Sequence, residues 1–181
     1  MPEPTITPQE FVNEWRGVTL KERQAYQTHF VSLCNMIGVR RPGGTGTDAA
    51  GNIFMFEHSI EKEDGSRGYV DAYYQNHFAI EYKAPDKYND LADAYNQIKA
   101  YRQNLNNVPL LVVRDINRWE IHAHFDNARY KKYEFLHEDI LKPGTRMLTA
   151  LFTEPQKLNP NLISERVTLG QFCGHQMCQI H

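Results

Sequence analysis

The apolar segment at residues 108–113 constrains the fold more than any other part of the sequence. Every residue from Val108 to Val113 is apolar, so neither of the two alternating faces of a strand would be polar. Such a strand is typical of a sheet interior that is covered on both faces, and Pro109 is tolerated at its start. We therefore expect this strand to be central in its sheet.

Strand-like runs surround this segment. The sequence predicts strands at residues 53–58, 69–74, 78–83, 110–114 and 119–125. Between the third and the fourth, apolar residues at helical period predict a helix over residues 88–105. A hairpin, a crossover helix and a further apolar strand imply an α/β fold with a mixed central sheet that is flanked by helices.

Further helices are predicted on both sides of the strand region. A short one covers residues 5–16, a longer one opens at Thr19 and ends before Gly38, and a third lies around residues 145–152. The longer helix buries one face, which carries Tyr26 and Phe30. We predict one domain at residues 1–152 and a weakly structured tail at residues 153–181.

Composition limits the possible partners and compartments. A chain of 181 residues suits a single domain, and its net charge of −2 gives no global attraction to nucleic acid, so DNA contact must rest on local basic patches such as Lys99 with Arg102. No apolar run approaches the roughly 20 residues that span a bilayer, and the first residues lack the features of a signal peptide. We expect a cytoplasmic protein without membrane contact and without a disulfide framework.

Two carboxylates and a lysine stand out on the predicted hairpin. On a strand alternate side chains share a face, so Glu81 and Lys83 point the same way, about 7 Å apart. If residues 69–74 pair with residues 78–83 through the turn at 75–77, Asp71 joins them from the adjacent strand. The register decides this, and the sequence defines it only to within a residue or two.

This trio fits the chemistry of phosphodiester cleavage. Magnesium prefers hard oxygen ligands, which Asp71 and Glu81 supply, and the backbone carbonyl of Tyr82 is a candidate third ligand. A bound ion would polarise the scissile phosphate, while Lys83 would orient the attacking water and offset the developing charge. We therefore predict a Mg²⁺ site, with Mn²⁺ able to take its place.

Two helices add candidate supporting residues. Gln97 and Tyr101 lie four residues apart on the crossover helix and can face the sheet edge, and Glu22 lies near the buried face of the second helix. Structural alternatives remain open. Gln97 and Tyr101 would serve equally as packing at the edge of the core, and Glu22 would close a capping box with Thr19.

The trio itself also has a structural alternative. In that interpretation Asp71 and Lys83 form a cross-strand ion pair, and Glu81 is an exposed strand residue. A carboxylate followed by Glu-x-Lys recurs often by chance, so the spacing alone does not exclude it. The apolar residues beside the charges favour a site over a wholly polar surface.

These motifs together resemble a known family. Asp71, then Glu81-Tyr82-Lys83, then Gln97 and Tyr101 resemble the PD-(D/E)xK nuclease pattern with the Gln-x-x-x-Tyr motif of its RecB-like branch. More narrowly, residues 22–30, 78–83, 109–115 and 119–122 resemble the N-terminal endonuclease domain of MmeI-like (type IIL) restriction-modification enzymes. The resemblance runs over residues 11–152, and the combination is more specific than any one motif.

The resemblance implies a function and a set of roles. Residues 1–152 would form a restriction-endonuclease-like domain that is a Mg-dependent endodeoxyribonuclease. Asp71 and Glu81 would bind metal, Lys83 would be catalytic, and Glu22 and Gln97 would support the site. We also expect the DNA to be contacted by three further residues: Tyr101, Lys99 and Arg102.

The same resemblance indicates partners. MmeI-like enzymes fuse endonuclease, adenine methyltransferase and target recognition in one polypeptide, but this chain has no Asn-Pro-Pro-Tyr motif and no glycine-rich methyl-donor site. Methylation and target recognition would then come from another domain or subunit. Since one such site normally cuts one strand, a homodimer is a further possibility.

Two rival functions and two other clusters remain. The rivals are a catalytically inactive DNA-binding or assembly module of the same fold, and a repair or recombination nuclease that acts alone. The four zinc-type ligands among residues 173–181 are spaced too tightly for a usual zinc site, so incidental composition is favoured. His122 and His124 alternate on a strand, where packed or surface histidines are expected.

Overall fold

The computed structural model describes residues 3–18, 22–62, 64–83, 88–115 and 117–163. Among its described helices, none is both long and apolar enough to cross a membrane. The strands are β1 (Phe54–Glu61), β2 (Arg67–Tyr74), β3 (Phe78–Tyr82), β4 (Leu110–Arg114), β5 (Arg118–Ala123) and β6 (Lys131–Leu136). The helices are α1 (Pro8–Trp15), α2 (Glu22–Ile37), α3 (Tyr88–Ala100), α4 (Pro143–Thr153) and α5 (Pro160–Ile163), with 3₁₀ turns at His137–Leu141 and Pro155–Leu158.

The strands form one six-stranded mixed sheet in the order β1-β2-β3-β4-β5-β6. All neighbours are antiparallel except β3 and β4, which run parallel because α3 carries the chain from one to the other. All five residues of β4 are buried, and β4 lies between β3 and β5. The predicted mixed α/β architecture and the central apolar strand are confirmed, and the sheet is compatible with a restriction-endonuclease-like fold.

The sheet separates two hydrophobic cores. Helices α1, α2 and α4 pack on one face, where β3 contributes Phe78, Ile80 and Tyr82. Helix α3 packs on the other face against Ala79 and its neighbours. Since side chains alternate along a strand, Glu81 shares the α3 side with Ala79. The side chains of residues 78–82 therefore face two chemically different environments, one on each side of the sheet.

The hairpin of β1 and β2 bends halfway along its length. On a regular strand, residues that are an even number of positions apart share a face. Phe56 and Ala72 nevertheless belong to the first core, whereas Ile60 and Val70 belong to the core around α3. Glu57, between them on β1, has a left-handed φ of 49°, which is unusual for a residue other than glycine. The outer half of the hairpin thus folds over the α3 side of the sheet.

Several predicted element boundaries differ from the observed ones. Helix α3 ends at Ala100 rather than at Leu105, because the chain turns there and Asn106 and Asn107 adopt left-handed φ values of 53° and 52°. Leu105 is nevertheless buried, which explains its helical spacing from the other apolar residues. The fifth strand covers Arg118–Ala123 rather than residues 119–125.

One strand was not predicted. In β6 the residues Tyr133 and Phe135 are buried while their neighbours are exposed, a period-2 pattern of only two apolar positions. Such a short alternation is stable as a strand because β5 supplies its hydrogen-bonding partner.

The packed part of the chain extends beyond the predicted boundary at residue 152. Leu158 is 1% exposed, and its carbonyl accepts a hydrogen bond of 3.0 Å from the Tyr133 hydroxyl. A single buried leucine after a turn has no periodicity that a sequence pattern can reveal. The rest of the predicted tail, residues 164–181, lies outside the described residues, and so does the cluster of zinc-type ligands.

Gly144, at the start of α4, provides a test of this packing. A Cβ atom there would lie 3.0 Å from the Asp139 carbonyl oxygen and 3.1 Å from a Phe135 ring carbon. Because the Asp139 carbonyl is held by the Lys142 amide, it cannot readily move. We expect Gly144→Ala to lower the free energy of unfolding by about 1–3 kcal/mol in urea denaturation.

The matched control is Gly44→Ala, since a Cβ at Gly44 would meet no atom within 4 Å. Equal unfolding free energies for the two variants would contradict the packing described at Gly144.

Candidate active site

Asp71 lies where β2 and β3 begin to separate. The antiparallel pairing of Ala72 with Ile80, continued by one position, brings Asp71 level with Glu81. The backbone N–H of Tyr82 donates a hydrogen bond of 2.7 Å to a carboxylate oxygen of Asp71. A side-chain carboxylate thus lies beside the backbone of β3, and the structure brings Asp71 together with the Glu-x-Lys segment as the sequence predicted.

Glu81 and Lys83 form an ion pair on one side of the strand. Lys83 Nζ lies 3.1 Å from Glu81 Oε1, and the two side chains are only 22% and 10% exposed. The Lys83 amide donates to the Arg114 carbonyl at 2.8 Å, so β4 still holds the chain at this point. The alternative with an exposed Glu81 is therefore wrong, since this residue is 8% exposed.

The electrostatics of Glu81 are unusual for a carboxyl group. Burial, and secondly the nearby charge of Asp71, raise the pKa of Glu81 to about 7, while Lys83 acts in the opposite direction. A buried carboxylate next to a second carboxylate is unfavourable unless a cation compensates it. Perturbed groups of this kind cluster at functional sites, although structural ion pairs can produce them too.

A third carboxylate, which the sequence analysis missed, belongs to the same neighbourhood. Glu57 is placed opposite Asp71 by the flanking pairs of β1 with β2, and the Tyr26 hydroxyl donates to its Oε1 at 3.2 Å. Burial chiefly, with smaller contributions from Asp71 and Glu57, raises the pKa of Tyr26 to about 12. Only the observed register of β1 with β2 reveals Glu57. Tyr26 had been predicted only as a core residue.

The predicted supporting residues stand in different situations. Gln97 is exposed on α3, and its side chain forms none of the side-chain hydrogen bonds found among the described residues. Tyr101 lies just after α3 against β2, since a Cβ on Gly68 would be 3.1 Å from its ring. Glu22 is the first residue of α2, but its side chain lies outside the described part of the chain, as does Thr19. The roles of these residues in the site stay predictions.

The predicted DNA-contacting cations also differ from each other. Arg102 donates to the carbonyls of Val108 at 3.1 Å and His124 at 2.7 Å, so its guanidinium ties the turn after α3 to the end of β5. Lys99 is exposed, with its Nζ 5.6 Å from the centre of the Tyr95 ring. Lys99 is thus free to reach a phosphate, while Arg102 has a structural task.

His122 and His124 are packed residues, as the sequence favoured. The Tyr95 ring stacks on His122 with centroids 3.7 Å apart, and the Tyr95 hydroxyl lies 3.0 Å from His124 Nε2. His122 Nε2 also lies 3.2 Å from a carboxylate oxygen of Glu120. These contacts join β5 to α3 at a distance of two strands from β3.

Asp71 and its neighbours are the residues that could hold a hard divalent cation. Asp71 and Glu81 offer carboxylate oxygens, and the carbonyl of Tyr82 lies between Glu81 and Lys83 in the chain. Within the described ranges, no group of three or more His, Cys, Asp or Glu side chains is arranged to hold a metal ion. An ion here would have two carboxylates and would complete its shell with backbone, water and substrate oxygens, as Mg²⁺ commonly does.

Comparisons with known proteins find matches among solved structures. No family model matches the sequence, and no curated protein matches it. Two chains among solved structures match, and one belongs to a DrdV–DNA complex determined by cryo-electron microscopy. That chain aligns with 84% of this one at a TM-score of 0.48 and 11% identity, and the aligned part is 14% of its own length.

The raised pKa of Glu81 predicts a pH-dependent stability. Its carboxyl binds a proton more tightly in the folded state, with a pKa of about 7, than at the ordinary value of 4.5. Wild-type stability therefore falls as the pH rises from about 4.5 to about 7. We expect Glu81→Gln to stabilise the metal-free chain by about 1–3 kcal/mol more at pH 8 than at pH 4.

Urea denaturation of both proteins at the two pH values measures this difference. The control is Glu61→Gln, at an exposed position on β1, for which we expect no such difference. A Glu81→Gln effect that is the same at both pH values would show that Glu81 does not titrate as described.

Proposed function

We propose that this chain is the cleavage domain of a metal-dependent DNA endonuclease, part of a restriction-modification system. The observation that carries the proposal is the buried carboxyl of Glu81, which adjoins a second carboxylate and is paired with Lys83 at 3.1 Å. Two carboxylates and a lysine that converge at a strand end supply a cation site and a neighbouring positive charge. Metal-dependent hydrolysis of a phosphodiester uses both.

In the proposed mechanism, Asp71 and Glu81 would hold Mg²⁺ or Mn²⁺, with the Tyr82 carbonyl as a candidate third ligand. The ion, when bound, would polarise the scissile phosphate and increase the acidity of the attacking water. Lys83 orients that water and offsets the negative charge that develops on the phosphate. Because burial and Asp71 raise the pKa of Glu81 to about 7, a cation would compete with a proton for this carboxylate near neutral pH.

The other predicted residues have supporting or DNA-contacting roles in this proposal. Glu22 and Gln97 support the site, and Tyr101 and Lys99 contact the DNA. Arg102 acts indirectly, because its hydrogen bonds hold the turn that follows α3. Methyltransferase and target-recognition functions come from a partner domain or subunit, and a second copy of the chain would supply a site for the other strand.

The first test is removal of the lysine. We expect Lys83→Met to lower cleavage of supercoiled plasmid in Mg²⁺ or Mn²⁺ by about 10²–10³-fold, because the transition-state charge loses a stabilising group. The control Lys131→Met removes an exposed lysine from β6 and should leave the rate unchanged. A Lys83→Met variant that cuts DNA at the wild-type rate would contradict the assignment.

The second test is direct metal binding. Mn²⁺ at 100 times its dissociation constant should raise the free energy of unfolding by about 2.7 kcal/mol. We expect Asp71→Asn to lose this gain, whereas Asp126→Asn, at an exposed position, should retain it. If Mn²⁺ fails to stabilise the wild-type chain, the inactive DNA-binding or assembly module becomes the better interpretation.

A further inference from the structure

A fully buried arginine lies directly beneath the proposed site. Arg114 is the last residue of β4, is 0% exposed, and faces the core of α1 and α2 together with Tyr82. Among the described residues no carboxylate forms an ion pair with it, and its Nη2 is buried without a hydrogen-bond partner. Burying a charge in this way is costly, so its retention calls for a reason.

Aromatic rings hold the guanidinium in place. Its Cζ lies 4.0 Å from the centre of the Trp119 ring and 5.3 Å from the centre of the Tyr82 ring. Its Nε donates to the Asp115 carbonyl at 2.7 Å. These contacts leave Nη1 facing the neighbouring helix α2.

The arginine determines the protonation of His29 on that helix. Arg114 Nη1 lies 2.7 Å from His29 Nε2 and 3.4 Å from His29 Nδ1. Because a guanidinium can only donate, we assign the nearer nitrogen, Nε2, as the acceptor. This assignment places the imidazole proton on Nδ1, which then donates to the Tyr82 hydroxyl at 3.2 Å. Burial and the charge of Arg114 both lower the pKa of His29, in agreement with a neutral ring.

Tyr82 connects these buried, hydrogen-bonded side chains to the site. Its backbone N–H donates to Asp71 at 2.7 Å, and it separates Glu81 from Lys83 in the strand. The next amide, that of Lys83, donates to the carbonyl of Arg114 at 2.8 Å. Arg114 therefore holds the end of β3 twice, through its own backbone and through the hydrogen bond of His29 to Tyr82.

We propose that Arg114, His29 and the Tyr82 hydroxyl form a positioning relay that fixes the end of β3. The relay sets the direction of the Tyr82 peptide and so the relative positions of Asp71 and Lys83. Its effect on metal binding rests on the proposed function, whereas its effect on the strand end does not. Arg114 and His29 are positioning residues, since they lie on the opposite side of the sheet from Glu81.

The test compares Tyr82→Phe with Tyr133→Phe. Both variants remove one hydroxyl from a buried tyrosine of the same core. The Tyr133 hydroxyl donates to the Leu158 carbonyl at the β6 edge of the sheet, away from the site. We expect similar losses of urea midpoint. In the metal-free chain, amide hydrogen exchange at Tyr82 and Lys83 should accelerate about two- to tenfold more in Tyr82→Phe than in the control.

A second readout follows the consequence for the site. Mn²⁺ affinity should fall about tenfold in Tyr82→Phe and stay unchanged in Tyr133→Phe. Equal exchange at the Tyr82 and Lys83 amides in both variants would overturn the relay. If exchange responds as expected but the wild-type chain binds no Mn²⁺, the relay is supported and the proposed nuclease function fails.

Discussion

The parallel pairing of β3 with β4 is the constraint on which the rest of the structure depends. It requires the crossover helix α3, which covers one face of the sheet, and it leaves the other face to α1, α2 and α4. At the end of β3 the two flanking strands behave differently. On the β4 side, the Lys83 amide still donates a hydrogen bond to the Arg114 carbonyl. On the β2 side, the Tyr82 amide donates to the Asp71 side chain instead of to a backbone carbonyl.

The alternation of side chains along β3 puts the proposed catalytic residues on one side of the sheet and the buried polar residues behind them on the other. Glu81 and Lys83 face the α3 side, and Tyr82 between them faces the buried His29 and Arg114. Both sides are unfavourable for stability, because Glu81 has a raised pKa and Arg114 is a buried cation without a carboxylate partner among the described residues. Unfavourable electrostatics are tolerated at functional sites when the surrounding packing compensates for them.

Much of the architecture could be predicted, because it depends on local patterns. The hairpin, the crossover helix and the apolar strand each have a clear period, and they led to the correct mixed sheet. Strand β6 was missed because Tyr133 and Phe135 are its only buried residues. Glu57 was missed because its position opposite Asp71 follows from the pairing of β1 with β2, which has no sequence signature.

The sequence by itself determined that Glu81 and Lys83 share one face of a strand and that residues 110–113 lie inside the sheet, since side-chain alternation and apolar composition are local properties. Only the tertiary structure decided that Asp71 would meet the Tyr82 amide, that Glu81 would be buried, and that Arg114 would contact His29. The physical reason is distance along the chain. Register, burial and hydrogen-bond partners depend on segments that α3 and the hairpin bring together, and no local pattern specifies them.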